Sequence, residues 1–365
     1  MPEGPGPSRR AVLGGTALVV LPALCGCSGG EPARAPAPGP DVALLTGAIA
    51  AEQDLIGRYE AARGAHASLA GQIDPALAHH REHVAVLRRH YVPGSGRQAD
   101  GSPAPTVPSV PQAPSPQQAP GRASSALADL RAAEGRTAAR HAADAGRAGA
   151  GLAQLLAAMG VCAAGHAGTS GTAAGRTGAQ GSQPPASPAP SPSASPSSAS
   201  PSSPAAVTPP SRASTLPALQ AALAAEHVAV YGYGVLGSRL TGSPHQAAQE
   251  HWNVHRDGRD TLTALLTARG ARPVAASAAY RLPVRVTSAR TAAQLAARLE
   301  DDLILAYVRL AGGDTPQLRS QACRSAQDAM VRAVRWRTSG GLPLTHAAFP
   351  GLPSSSLPPR PTPGL

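Results

Sequence analysis

Eight stretches of this chain repeat apolar residues at steps of three and four, and that spacing decides what it can fold into. Leu45, Ile49, Glu52, Ile56 and Tyr59 form one stripe, and Ile73, Leu77, His80, Val84, Leu87 and Tyr91 form a second. Leu127, Leu130, Glu134, Ala138 and His141 make a third, and Leu152, Leu155, Met159, Cys162 and His166 a fourth. Further on come Leu219, Leu223, Glu226, Val230 and Tyr233, then His251, His255, Leu262 and Leu265. Leu295, Leu299, Leu303, Ala306 and Leu310, then Leu318, Ala322, Ala326, Met330 and Ala333, complete the set. An apolar face recurring with the helical period is the mark of amphipathic helix rather than strand, so the chain is expected to be all-α.

The stripes fall in two blocks, 41–167 and 214–350. Between and around them lie segments rich in Pro, Ser, Gly and Gln: 28–40, an insert at 92–122, a linker at 168–213 and a tail at 351–365. Such segments have too little apolar surface to offset the entropy of ordering, and are expected to be disordered. Within each block the first two helices are joined by a short loop, near 68–73 and 241–243. The last two are joined closely, near Gly146 and near 311–315. A long segment, 92–122 or 271–289, connects the second helix to the third. Two hairpins with one long crossover is the layout of a ferritin-like four-helix bundle, so two such bundles are expected. Asp74-Pro75, Ser243-Pro244 and Thr315-Pro316 each offer a capping oxygen before a proline, which reads as a helix start.

Residues 1–27 read as an export signal. Arg9 and Arg10 precede the uncharged run from Val12 to Leu24, and Leu24-Cys25-Gly26-Cys27 follows. A basic region, a short apolar region and a small residue before a cysteine make a cleavable signal, not a membrane span. The paired arginines resemble a twin-arginine signal, and the last four residues resemble a bacterial lipobox with Cys27 as the lipidated residue. The expected location is the extracytoplasmic face of the cell membrane, with lipid on Cys27 as the anchor.

Composition narrows the partners. The net charge is +11, and all 32 basic residues are arginine. Together with abundant Ala, Gly and Pro this reads as GC-rich coding bias, so no nucleic-acid partner is expected. Aromatic residues make up 2% of the chain, too few for a base-stacking platform. Of four cysteines, Cys25 and Cys27 belong to the signal, leaving Cys162 and Cys323 as a disulfide or as two buried thiols. The one Gly-x-Ser-x-Gly match, Gly26 to Gly30, lies across the lipobox and is not a nucleophile elbow. Without lysine there is no phosphate loop of the Walker type.

Ala224-Ala225-Glu226-His227-Val228-Ala229-Val230-Tyr231-Gly232-Tyr233-Gly234, His255-Arg256-Asp257-Gly258-Arg259-Asp260 and Ala278-Ala279-Tyr280-Arg281-Leu282-Pro283-Val284 carry a resemblance. With Leu295 to Tyr307, they look like the first helix, second helix, crossover and third helix of a ferritin-like family of unknown function. That family occurs in exported lipoproteins of high-GC Gram-positive bacteria. The resemblance covers about 216–340 and implies the bundle architecture but no settled chemistry. The first block is similar to the helical region preceding this domain in such lipoproteins.

A ferritin-like di-metal site takes a Glu from each of two helices and a Glu-x-x-His from each of the other two. Here the candidate metal ligands are Glu226, His251, His255 and Glu300. Glu52, His80, His83, Glu134 and His166 are candidate buried polar partners. No helix has Glu-x-x-His at a core position, and Glu300 lies about 100° from the centre of its stripe. Counting from a loop near 242 puts Glu226 and His255 within about 4.5 Å axially, but counting from a loop near 145 puts Glu134 and His166 about 15 Å apart. Isolated buried charge is very costly, so each core glutamate is expected to be paired with histidine or arginine. The leading expectation is a non-enzymatic, membrane-tethered binding or structural module with no cofactor. The alternatives are a metal-binding or redox protein using iron or manganese, and a small-ligand carrier using the bundle core. No protein or small-molecule partner is named by the sequence.

Overall fold

The computed structural model describes residues 40–90, 120–169 and 212–353. Arg9, Arg10 and Cys27 lie outside them. So do the tether at 28–40 apart from its last residue, the tail beyond 353, and all but the ends of the 92–122 and 168–213 segments. Among the described residues there are eight α-helices and no strand. They are α1 Pro40–Ala65, α2 Ala70–His90, α3 Ala123–Arg147, α4 Ala150–Thr169, α5 Arg212–Gly237, α6 Gly242–Ala268, α7 Ala289–Leu310 and α8 Pro316–Gly340. The all-α expectation holds, with the helices in two groups of four. In the first group α1 packs on α2, α3 on α4 and α1 on α3; α5 to α8 repeat that scheme. The second crossover, 271–288, is irregular chain laid along α5. Gln220 pins it from both sides, donating to the Arg272 carbonyl at 2.8 Å and accepting from the Val274 amide at 2.8 Å.

Helix ends follow local chemistry, though not always the expected residue. Ser288 caps α7 in a reciprocal capping box with Thr291, and Thr315 accepts from the Leu318 amide ahead of Pro316. Gly341, at φ 63°, closes α8 in the left-handed conformation that glycine adopts without strain. Asp74-Pro75 and Ser243-Pro244 do not start helices: α2 begins at Ala70 with Pro75 inside it, and α6 begins at Gly242 after Thr241. Asp74 instead pairs with Arg63 at 2.8 Å, tying α2 to the end of α1.

Each block has an apolar cluster of its own, around Leu55, Tyr59 and Ile73 in the first and around Tyr233, Leu295 and Trp336 in the second, and a third cluster is shared. The shared cluster runs from Leu45 and Ile49 through Leu156 and Met159 to Leu303, Ala326, Met330 and Phe349. Its centre is α4, which packs on α3, α8 and α7 and is buried without interruption from Leu155 to His166. A helix apolar on every side belongs inside a protein or a membrane. α4 is long and apolar enough to span a bilayer, yet 72% of its apolar window is buried within this fold.

Polar groups lock the same seam. Arg319 of α8 is buried and donates to the Ala145 carbonyl at 3.2 Å and the Gly146 carbonyl at 3.0 Å. It therefore caps the C-terminal end of α3, where unpaired carbonyls and the helix dipole favour a cation. Gly146 allows this approach: a methyl there would lie 3.1 Å from the Pro316 carbonyl oxygen. Gln327 adds a bond of 2.8 Å to the Ala138 carbonyl.

A shared cluster of this extent is expected to make the described helices unfold together. Both tryptophans, Trp252 and Trp336, lie in the second block, whereas far-ultraviolet circular dichroism reports every helix. Urea unfolding followed by the two signals is expected to give one coincident transition. A dichroism curve with a second transition that tryptophan fluorescence misses would show blocks that fold separately.

Candidate functional site

In the second block α5, α6, α7 and α8 meet at a buried polar knot. His255 lies between two glutamates, with Nδ1 2.9 Å from Glu226 Oε2 and Nε2 3.2 Å from Glu300 Oε1. Tyr233 donates to Glu300 at 2.6 Å, Tyr307 donates to Glu226, and Arg332 Nε donates to Glu300 at 2.9 Å. Burial pushes the His255 imidazole down, but the hydrogen bonds to Glu226 and Glu300 outweigh it and hold its pKa at about 9. Burial likewise pushes Glu300 up, and Arg332 and His255 outweigh it to hold the carboxyl at about 2. Burial and Glu300 keep Tyr233 well above its ordinary range, so its hydroxyl remains a donor.

Of the four candidate metal ligands, the structure brings Glu226, His255 and Glu300 together and leaves His251 apart. His251 Nδ1 accepts from Trp336 Nε1 at 3.0 Å, and burial lowers its pKa to about 4. Glu300 is not peripheral, as its angle on the stripe implied, but fully buried. α7 packs against α5 and α8 at once, so its buried face is wider than one stripe.

The first block builds the same knot. His80 Nδ1 lies 2.8 Å from Glu52 Oε2, and Nε2 lies 2.8 Å from Glu134 Oε1. Tyr59, two turns beyond Glu52 as Tyr233 is beyond Glu226, donates to Glu134 at 2.7 Å. Two turns beyond Glu134, His141 reaches Glu52 at 3.0 Å, where Tyr307 in the second block reaches Glu226. Burial lowers His80, but Glu134 and Glu52 outweigh it and raise its pKa to about 10. Burial raises Glu52, yet His83 and His80 hold it well below the usual carboxylate range.

One turn after the bridging histidine the blocks differ. The first has His83, bonded to Glu52 at 2.9 Å and to the Ala348 carbonyl at 2.6 Å. The second has Gly258, where a methyl would lie 2.7 Å from Glu226 Oε1. On the last helix, His166 stands as far beyond Glu134 as Arg332 stands beyond Glu300.

Beside the first knot lies a second cluster that the stripes did not reveal. His79 Nδ1 is 3.2 Å from His166 Nε2, and Cys162 Sγ is 3.6 Å from the former and 3.4 Å from the latter. His346 joins them from the chain after α8; one donor atom from each of the four residues lies within 4.8 Å of the rest. His79, His166 and His346 also line a cavity of about 360 Å³ with Tyr59, Ile73, Ala76, Leu127 and Leu130. Burial and the neighbouring histidines lower His79 to about 4 and His166 well below its usual value, and burial raises the Cys162 thiol. Cys162 and Cys323 are both buried and free, not a disulfide.

Glu134 and His166 do meet, contrary to the axial count: their donor atoms and one of His80 fall within 4.8 Å. α3 runs on to Arg147, so the turn sits at 148–149 rather than near 145. Moving the turn by three residues changes the axial match by twice that, about 9 Å. His79 lay beside its stripe in the sequence, but nothing local marked His346, Tyr307 or Arg332.

The His255 bridge sets a pH dependence. Its folded pKa is about 9 against an ordinary value of 6.5, so its stabilisation is complete below about pH 6.5 and gone above about pH 9. Unfolding free energies of wild type and His255→Gln should therefore converge as pH rises from 6 to 10, by roughly 2–4 kcal/mol. A gap that stays constant over this range would show that His255 is not held as an imidazolium.

No curated protein matches the chain. Among solved structures, a conserved hypothetical protein, rv2844, from Mycobacterium tuberculosis is 32% identical, with 35% of this chain and 98% of that chain covered and a TM-score of 0.34. Residues 218–354, which hold the second knot, match the family described as Domain of unknown function (DUF4439).

Proposed function

We propose that this protein is an extracytoplasmic lipoprotein, tethered through Cys27, whose two ferritin-like bundles form a non-catalytic binding module. The observation that carries this reading is the histidine between each pair of core glutamates. A ferritin-like oxidase places metal between such carboxylates and completes the site with Glu-x-x-His on the second and fourth helices. At the corresponding places this chain has His80-x-x-His83 and Ala163-x-x-His166, then His255-x-x-Gly258 and Ala329-x-x-Arg332. The imidazoles of His80 and His255 supply, from within the protein, positive charge that a metal would bring. The carboxylates are engaged in holding helices together. Binding is then left to the open cavity between α1, α2, α3 and α4, not to the knots.

Iron or manganese should not change the melting temperature through the glutamates. Glu226→Ala is expected to destabilise by roughly 2–4 kcal/mol, because it strands His255 and Tyr307. Glu226→Gln should cost less, and neither cost should depend on chelator or added metal. A melting rise with iron or manganese that vanishes in Glu226→Gln or Glu52→Gln would replace this reading with a carboxylate metal site. The tether has its own check: Cys27→Ala should release the protein from the membrane fraction or leave it unprocessed, and unchanged retention would remove the lipid anchor.

A further inference from the structure

We propose that His79, Cys162, His166 and His346 bind one thiophilic d¹⁰ transition-metal ion, Zn²⁺ or Cu⁺, at the inner end of the cavity. The site deepens the binding-module reading by naming a ligand class. A tetrahedral zinc has metal–nitrogen distances of about 2.0 Å and metal–sulfur distances of about 2.3 Å. Simple trigonometry then puts nitrogen donors about 3.3 Å apart, and nitrogen about 3.5 Å from sulfur. The three separations in the structure are 3.2, 3.4 and 3.6 Å, so three corners of such a tetrahedron already stand in place.

The fourth corner is prepared independently. His346 Nδ1 lies 3.0 Å from the Ala347 carbonyl. A carbonyl only accepts, so Nδ1 carries the proton and Nε2 carries the lone pair. Nε2 is buried without a hydrogen-bond partner. Backbone-fixed tautomers of this kind are the usual support of a metal-ligating histidine. Gly165 is what lets the ring in, since a methyl there would lie 2.5 Å from His346 Nε2. The cavity supplies the entry path, being lined by three of the four ligands.

Donor chemistry sets the metal class. One thiolate and three imidazoles favour a soft or borderline ion over one that prefers oxygen ligands. The second block cannot repeat the site. Asp328 and Arg332 stand where Cys162 and His166 stand in the first, and Arg332 is committed to Glu300. Binding converts the Cys162 thiol to a thiolate and releases its proton to water, so no redox partner is needed. The competing account is a triangle of hydrogen bonds among a neutral thiol and two neutral imidazoles, with His346 merely packed alongside.

The test is titration of the full chain with Zn²⁺, with Cu⁺ under anaerobic reductant, and with Co²⁺ as a spectroscopic stand-in for zinc. The expected result is one ion per chain, about one proton released, and the intense visible and thiolate charge-transfer bands of tetrahedral, sulfur-ligated cobalt. Cys162→Ala should abolish the charge-transfer band. His346→Ala, a change in a chain segment outside the helices, should weaken binding on the order of a hundredfold. Glu226→Gln should leave binding unchanged. No binding of either ion to folded wild type, or binding indifferent to both Cys162→Ala and His346→Ala, would overturn the site while leaving the metal-insensitive glutamates of the module reading intact. Binding abolished by Glu52→Gln and Glu134→Gln, but not by Cys162→Ala, would overturn both.

Discussion

The interaction on which the rest depends is an imidazole held between two buried glutamates, once in each block. A lone carboxylate in a helical core carries a desolvation penalty of several kcal/mol, and two side by side repel each other as well. Placing His80 between Glu52 and Glu134, or His255 between Glu226 and Glu300, answers both problems with one side chain. It also fixes three helices at a single level, because the ring must reach a glutamate on each side. The tyrosines complete the arrangement from the next turns. Tyr59 and Tyr233 donate to the glutamate of the third helix, which binds the first helix to the third across the bundle. Removing any one member strands charge or lone pairs with no water to replace it. Such a network accordingly specifies the register of the bundle more than it adds net stability.

The blocks resemble two copies of one design that have parted around the same core. The second has closed its knot with a permanent cation. Burial acts to lower Arg332, yet its bond to Glu300 keeps the guanidinium charged, and Gly258 makes room for Glu226 where the first block has His83. The first has gone the other way, setting His83 and His141 on Glu52 and His166 near Glu134, with His79 and His346 gathered beside His166. One block thus adds a guanidinium to its bridged glutamates, while the other adds imidazoles.

Much of this was legible in the sequence, and the parts that were not share a cause. Helical stripes report which residues face inward, so Glu52, Glu134, Glu226, His80 and His255 could be placed in the core, and loop lengths gave two hairpins and a crossover. Axial level is far less secure, because an error in the turn position counts double across a hairpin. That is why a count from the loop separates Glu134 from His166, which meet in the fold. Proline after a capping residue marks the start of α6 to within two residues but not that of α2, where a full turn from Ala70 precedes Pro75. Arg332 and His346 were invisible for another reason. Their roles depend on a partner helix or a distant block, and no local period records that.

The apolar helix α4 links the docking of the blocks to the His/Cys cluster. Its composition permits a membrane span, but Gly160 and Gly165 are not there to face lipid. A methyl at Gly160 would strike Gln327 from α8, 2.4 Å away, and one at Gly165 would strike His346. Both glycines are notches that let the second block approach the first. The same helix carries Cys162 and His166 on the face that the second notch opens. The docking of the blocks and the assembly of the His/Cys cluster are therefore one event. α4 can present those two donors to His79 alone, and the fourth donor arrives only when residues 341–353 have crossed to the first block. A substitution that fills Gly165 should thus separate the two roles of the seam, keeping His80 between its glutamates while expelling His346 from the cluster.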